Sequence, residues 1–155
     1  MAIEEIRNFA EINSMISSGG QPTEPQIHDL FSAGFQTIIN LGLLDPKYCL
    51  PDERGVVTSL GLNYIHIPVN FNSPTLENYK EFETALSGAA SSKTFVHCAA
   101  NYRVSCFLAI YGRRALGWTA QRAASHISSI WQPNDIWSKF LADAERDHSL
   151  AHNQK

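Results

Sequence analysis

The chain has 155 residues, 44% of them hydrophobic and 17% charged, with a formal net charge of −3. That is the makeup of an ordinary globular protein, long enough to bury roughly 70% of the surface its unfolded chain exposes. With no basic block a nucleic-acid partner is excluded, and no apolar run reaches the roughly 18 to 20 residues of a membrane span.

The start, "MAIEEIRNFAEI", is acidic and has no apolar core of the signal-peptide kind. Three cysteines, Cys49, Cys98 and Cys106, lack metal-ligand spacing and cannot all pair within one chain. A reduced, cytoplasmic setting is expected. Cys49 and Cys106 read as packed thiols, since free Cys behaves as a small hydrophobe.

Elements follow in order. "SSGGQPTEPQIHDLFSAGF" opens with a Gly-Gly break. Thr23 then caps a helix, with Gln26 completing a capping box and Pro25 in the first turn. Ile27, Leu30 and Phe31 form its apolar stripe, and Gly34 ends it. "QTIINL" is a short β-branched run and reads as a buried strand. In the loop that follows, Asp45, Asp52 and Glu53 read as solvated carboxylates. "DERGVVTSLG" predicts a brief helix stopped by Gly61. "NYIHIPV" alternates as a second strand, with His66 packed or half exposed.

"SPTLENYKEFETAL" predicts a helix capped by Thr75, with Leu76, Tyr79, Phe82 and Leu86 on one face. "KTFVHC" is a third strand. Helices follow over about Tyr102 to Leu116, in "TAQRAASHISSI" and in "NDIWSKFLADAERD", with Arg113 and Arg114 solvated. Trp131 and Trp137 are expected to pack the last helices on the sheet. The polar end "HSLAHNQK" is expected to fray. Strands separated by helices predict an α/β fold, a mostly parallel central sheet flanked by helices. One domain over 1–155, with its core at about 15–145, is expected.

The stretch "VHCAANYRVS", residues 96 to 105, falls at a strand-to-helix turn. In open α/β sheets ligands collect beyond the carboxyl ends of the strands. A helix N-terminus there suits anions, and a Cys at such a place is a candidate thiolate nucleophile. Arg103 adds a planar, always-charged fork that matches oxyanions. Ser105 is placed to donate a hydrogen bond to the sulfur. Cys98, Arg103 and Ser105 together suffice for transfer of an anionic group through sulfur. His97, just before the Cys, is expected to hold the loop through backbone hydrogen bonds, and Tyr102 to shape the pocket entry. His28, His126, His148 and His152 show no metal spacing, so neither metal nor cofactor is expected.

"VHCAANYRVS" resembles the phosphate-binding loop of the protein tyrosine and dual-specificity phosphatases, whose signature is His-Cys, five residues, then Arg-Ser or Arg-Thr. "SGGQPTEPQIHDLFSAGFQTIINL", "LGLNYIHIPV" and "SPTLENYKEFETAL" follow the order seen in a bacterial branch of such domains, so the resemblance covers roughly residues 15 to 145. It implies a cysteine-dependent phosphatase of low or narrow activity. It also implies an anion-binding loop of His97, Ala99, Ala100, Asn101, Tyr102 and Val104, and a phosphorylated small molecule or phosphoprotein as partner.

Three departures are specific. The spacing is Cys, four residues, Arg, so Val104 stands where the signature has its Arg, while Ser105 stays in step. Neighbouring helical positions differ by about 100°, which turns Arg103 away from the usual direction unless the loop rearranges. Asn101 replaces the middle Gly, though Asn tolerates a left-handed conformation. Asn70, followed by Asn72, occupies the place of the general-acid Asp, leaving Asp45, Asp52 or Glu53 as substitutes. The shorter spacing is also similar to some rhodanese-like sulfurtransferases, which carry a persulfide on the Cys. A non-catalytic phosphate-binding module is the third possibility.

Overall fold

The computed structural model describes residues 2–153. After a 3-10 turn at Ala2–Glu5 the elements run β1 (Ala10–Glu11), β2 (Ile16–Gly19), α1 (Glu24–Ser32), β3 (Thr37–Asn40), α2 (Glu53–Ser59) and β4 (Asn63–His66). They continue α3 (Leu76–Gly88), β5 (Thr94–His97), α4 (Tyr102–Ala115), α5 (Ala120–Ser128) and α6 (Asp135–Asn153). The strands form one sheet in the order β1-β2-β5-β3-β4, with only β1 antiparallel. The α/β class with a mostly parallel sheet is as expected.

Side chains of a strand alternate between its faces, and the two cores divide accordingly. Ile38 and Phe95 join Ile27 and Leu30 of α1 and Val57 of α2 on one face. Ile39 and Val96 join Tyr79, Phe82 and Leu86 of α3, most of α4, and Trp137 and Phe140 of α6 on the other. Helices thus cover both faces, and β5 lies in the middle.

Thr23 with Gln26 forms the capping box as read, and Thr75 caps its helix as read, with Asn78 adding an unforeseen reciprocal bond. Phe31 does not belong to the buried stripe; it is exposed, while Ile27 and Leu30 are buried. The Gly-Gly break is a second correction. Ser17, Ser18 and Gly19 belong to β2, paired in register with Phe95, Val96 and His97. Serine and glycine carry little strand propensity, and tertiary packing overrides it here. A Cβ on Gly19 would lie 2.9 Å from Ile6 Cγ2 and 3.0 Å from the Phe95 ring. On Gly20 it would lie 2.6 Å from the Ala99 carbonyl oxygen, so the backbones approach there as only glycine allows.

Arg113 and Arg114 are half-buried, not freely solvated. Arg113 pairs with Glu145 at 2.6 Å, and Arg114 donates to the Ala144 carbonyl and covers the Tyr79 ring, tying α6 to α4. The expected fraying at "HSLAHN" is replaced by continuous helix to Asn153, while Gln154 and Lys155 lie outside the described residues. Trp137 is fully buried and donates its indole N–H to the Phe71 carbonyl at 2.8 Å, fixing the loop after β4 from the α6 side.

Candidate active site

Register brings the site together. His97 ends β5 with Gly19 of β2 on one side and Asn40 of β3 on the other. The chain then leaves the carboxyl edge of the sheet as Cys98, Ala99 and Ala100 and enters α4. A cleft of about 530 Å³ lies over this edge. It is lined by Cys98, Ala99, Ala100, Tyr102 and Arg103 of the loop and α4, by Gly42, Leu43, Asp45 and Tyr48 of the segment after β3, by Phe71 and Asn72 after β4, and by Arg7 and Gln21. The volume falls within the usual range of ligand pockets.

Helix α4 begins unusually. Its N-cap, Asn101, is left-handed at φ 69° and makes no side-chain cap bond. The Asn101 amide turns away from the cleft to donate to the Asn8 carbonyl at 2.8 Å and to Ser18 Oγ at 3.1 Å. A helix leaves its first-turn N–H groups without intrahelical acceptors, and here no capping side chain takes them. These amides and the positive end of the helix dipole suit a bound anion.

Cys98 lines the cleft and is only 1% exposed. Arg103, 9% exposed, also lines the cleft, and its Nη1 donates to the Val69 carbonyl at 2.9 Å. The missing residue in the loop therefore does not turn Arg103 away. The left-handed Asn101 lets α4 start at Tyr102, and Val104 points into the core, fully buried. Ser105 is placed differently from expectation. Its hydroxyl donates to the Tyr102 carbonyl at 2.7 Å and accepts from the Trp131 indole at 3.0 Å. A helical Ser readily bonds back to the i−3 carbonyl, and that geometry directs the hydroxyl away from Cys98. Trp131, expected only to pack, also stacks on Tyr102 at 4.6 Å with the planes 2° apart, which stiffens the wall Tyr102 contributes.

His97 holds the loop as expected, through Nδ1 to the Cys98 carbonyl at 3.2 Å. Its second partner was not foreseen. Nε2 meets Glu53 Oε2 at 2.6 Å, with both side chains buried. Glu53 is not a solvated loop residue, because as the first residue of α2 it faces β5. Its other oxygen accepts from Gln21 Nε2 at 2.6 Å. Burial pushes the Glu53 carboxyl up, but His97, Gln21 and Tyr64 outweigh that and hold it below the usual carboxylate range. A lone Glu at a helix start reads as a dipole complement, so nothing in the sequence pointed to this pair. Asp52 caps α2 through the Gly55 amide at 3.1 Å and is also outside the cleft.

The loop after β4 reaches the cleft through Phe71 and Asn72. Asn70 does not line it. It is exposed, and its side-chain oxygen accepts from the Asn72 amide at 2.9 Å, closing a turn. Among the residues lining the cleft Asp45 is the one carboxylate. Its Oδ1 accepts from the Lys47 amide at 3.0 Å. His66 Nε2 donates to the Gly42 carbonyl at 2.6 Å and steadies the segment that carries Asp45.

Cys106 lies in the core, and burial pushes its thiol up to about 12. Cys49 lines a separate cleft with Tyr64 and His66. Among the described residues no group of three or more His, Cys, Asp or Glu side chains could hold a metal ion. No helix there is long and apolar enough to cross a membrane.

A family profile described as "DSP-PTPase phosphatase fused to NAD+ Kinase" matches residues 4–132. Among solved structures, a phosphatase candidate of the DUF442 group from Shewanella putrefaciens CN-32 is 27% identical, with a TM-score of 0.83 over 94% of this chain and 95% of its own. Tk-PTP in its active form is 16% identical, with a TM-score of 0.75 over 89% and 96%. Kinase associated phosphatase is 18% identical, with a TM-score of 0.75 over 88% of each chain. The last two likenesses are of fold. No curated protein matches significantly.

Proposed function

The chain belongs to the family described as DSP-PTPase phosphatase fused to NAD+ kinase, and on that premise we propose that it is a cysteine-dependent phosphatase hydrolysing phosphate monoesters. One observation carries this reading. Cys98 and Arg103 line one cleft, and α4 begins there without a side-chain cap. A thiol, a guanidinium and open amides at one point are what in-line transfer of a phosphoryl group to sulfur requires.

In the first step Cys98 Sγ attacks phosphorus, the S–P bond forms, and the P–O bond to the leaving group breaks. The amides at the start of α4 and Arg103 hold the non-bridging oxygens. We assign the proton for the leaving oxygen to Asp45, the one carboxyl group lining the cleft. In the second step water attacks phosphorus, Asp45 takes its proton, and the S–P bond breaks to release phosphate and restore the thiolate. His97 positions the loop by holding the Cys98 carbonyl. Ser105 positions Tyr102 and Trp131 in place of the expected contact with sulfur.

The test is hydrolysis of para-nitrophenyl phosphate by the wild type and by Cys98→Ser. Its leaving group barely needs a proton donor, so it reports the nucleophile. Turnover abolished by the substitution supports the reading, and equal turnover by both proteins refutes it.

A further inference from the structure

Arg7 is the charged cleft residue that the mechanism leaves unused. It lines the same cleft as Cys98 and Arg103. Among the described residues its guanidinium has no ion-pair or hydrogen-bond partner, whereas every arginine of α4 has one.

Its backbone, by contrast, is fastened to the loop. The Arg7 carbonyl accepts from the Gly20 amide at 2.7 Å, and Gly20 in turn pairs with Ala100. The next residue, Asn8, donates its side-chain amide to the Ala100 carbonyl at 2.9 Å and accepts from Asn101 Nδ2 at 2.8 Å. Asn8 holds φ at 53°, as left-handed as Asn101. Two left-handed asparagines thus form a clasp, Asn8 holding Ala100 and Asn101 holding Asn8, on the side of the loop away from the cleft. These bonds hold the Arg7 backbone against Gly20, and its exposed side chain lines the same cleft as Cys98.

The cleft also exceeds what one phosphate needs. At roughly 30 Å³ of liquid volume per water, a phosphate takes the space of only two or three waters, against about 530 Å³. The remainder, beside Leu43, Tyr48 and Phe71, would take the leaving group.

We propose that Arg7 is a second anion contact, so that the preferred substrate is a phosphate monoester whose leaving group carries a further anionic group, a carboxylate or a second phosphate. This rests on the phosphatase reading of the cleft. A free guanidinium on an anchored backbone is suited to bidentate recognition of either group.

The probes are phenyl phosphate and its 2-, 3- and 4-carboxyphenyl analogues. Binding to Cys98→Ser is measured by calorimetry, and kcat and KM are measured on the active protein. At least one carboxyl isomer should bind about two- to fivefold tighter than phenyl phosphate, the scale of an exposed charge-assisted pair such as Arg7 would make. That preference should appear in KM rather than kcat, collapse to parity in Arg7→Gln, and survive in part in Arg7→Lys. Binding of phenyl phosphate with no isomer preferred, or a preference that persists in Arg7→Gln, overturns the proposal and leaves the phosphatase reading standing. Failure of all four compounds to bind overturns both.

Discussion

Replacing Glu53 by Gln tests the support under the loop that carries Cys98. The substitution keeps the shape and one acceptor but removes the charge facing His97 Nε2 at 2.6 Å, in a place where both side chains are buried. A hydrogen bond to a charged group contributes about 1.5–3 kcal/mol, and the neutral replacement recovers part of it, so a loss of about 2 kcal/mol is expected at pH 7. For a chain of this length each kcal/mol moves Tm by about 2–4 °C, which gives a fall of about 4–8 °C. The pH dependence identifies the group responsible. Glu53 titrates below its unfolded value, so its contribution is complete above about pH 4.3 and disappears as pH falls toward the folded value. Calorimetric or circular-dichroism melts from pH 7 to pH 3 should therefore show the wild-type and Glu53→Gln curves converging on the acid side. A Tm within 1 °C of wild type at pH 7, or curves that stay parallel, would refute the claim that this pair holds the loop.

Three further outcomes rest on the cleft lining and the glycine contact. Asp45→Asn should lower hydrolysis of alkyl phosphates by about 10² to 10⁴, the range for a positioned acid, and that of para-nitrophenyl phosphate far less. Asn70→Asp should move either rate less than twofold, since Asn70 faces solvent; steady-state rates on the two substrate types decide both points. Gly20→Ala would drive a Cβ against the Ala99 carbonyl, costing about 1–3 kcal/mol by overpacking. It should also weaken phosphate binding measured by calorimetry, and a variant that melts and binds as wild type would show that the contact relaxes freely.

Much of the fold was legible because local signals agreed with it. Thr23 with Gln26, and Thr75, marked helix starts, and the runs "QTIINL" and "KTFVHC" marked strands. Cys98 and Arg103 were visible from their place at a strand-to-helix turn. What was hidden depended on contacts distant in sequence. Ser17 to Gly19 look like a break, and become strand only because β5 pairs with them. Glu53 looks solvated until α2 docks and presents it to His97. Counting residues around an ideal helix misdirected Arg103, because the left-handed Asn101 resets where that helix begins.

The asparagine clasp has a consequence for the order in which the molecule assembles. Asn8 and Ala100 are 92 residues apart in the chain, and nearly the whole sheet and three helices intervene. Contacts of such separation form late, after the intervening core has reduced the entropy of bringing them together. The turn that carries Cys98 is thus completed only when the segment before β1 has met the residues after β5. A nascent or half-folded chain carries the Cys98 thiol without the fastened turn around it.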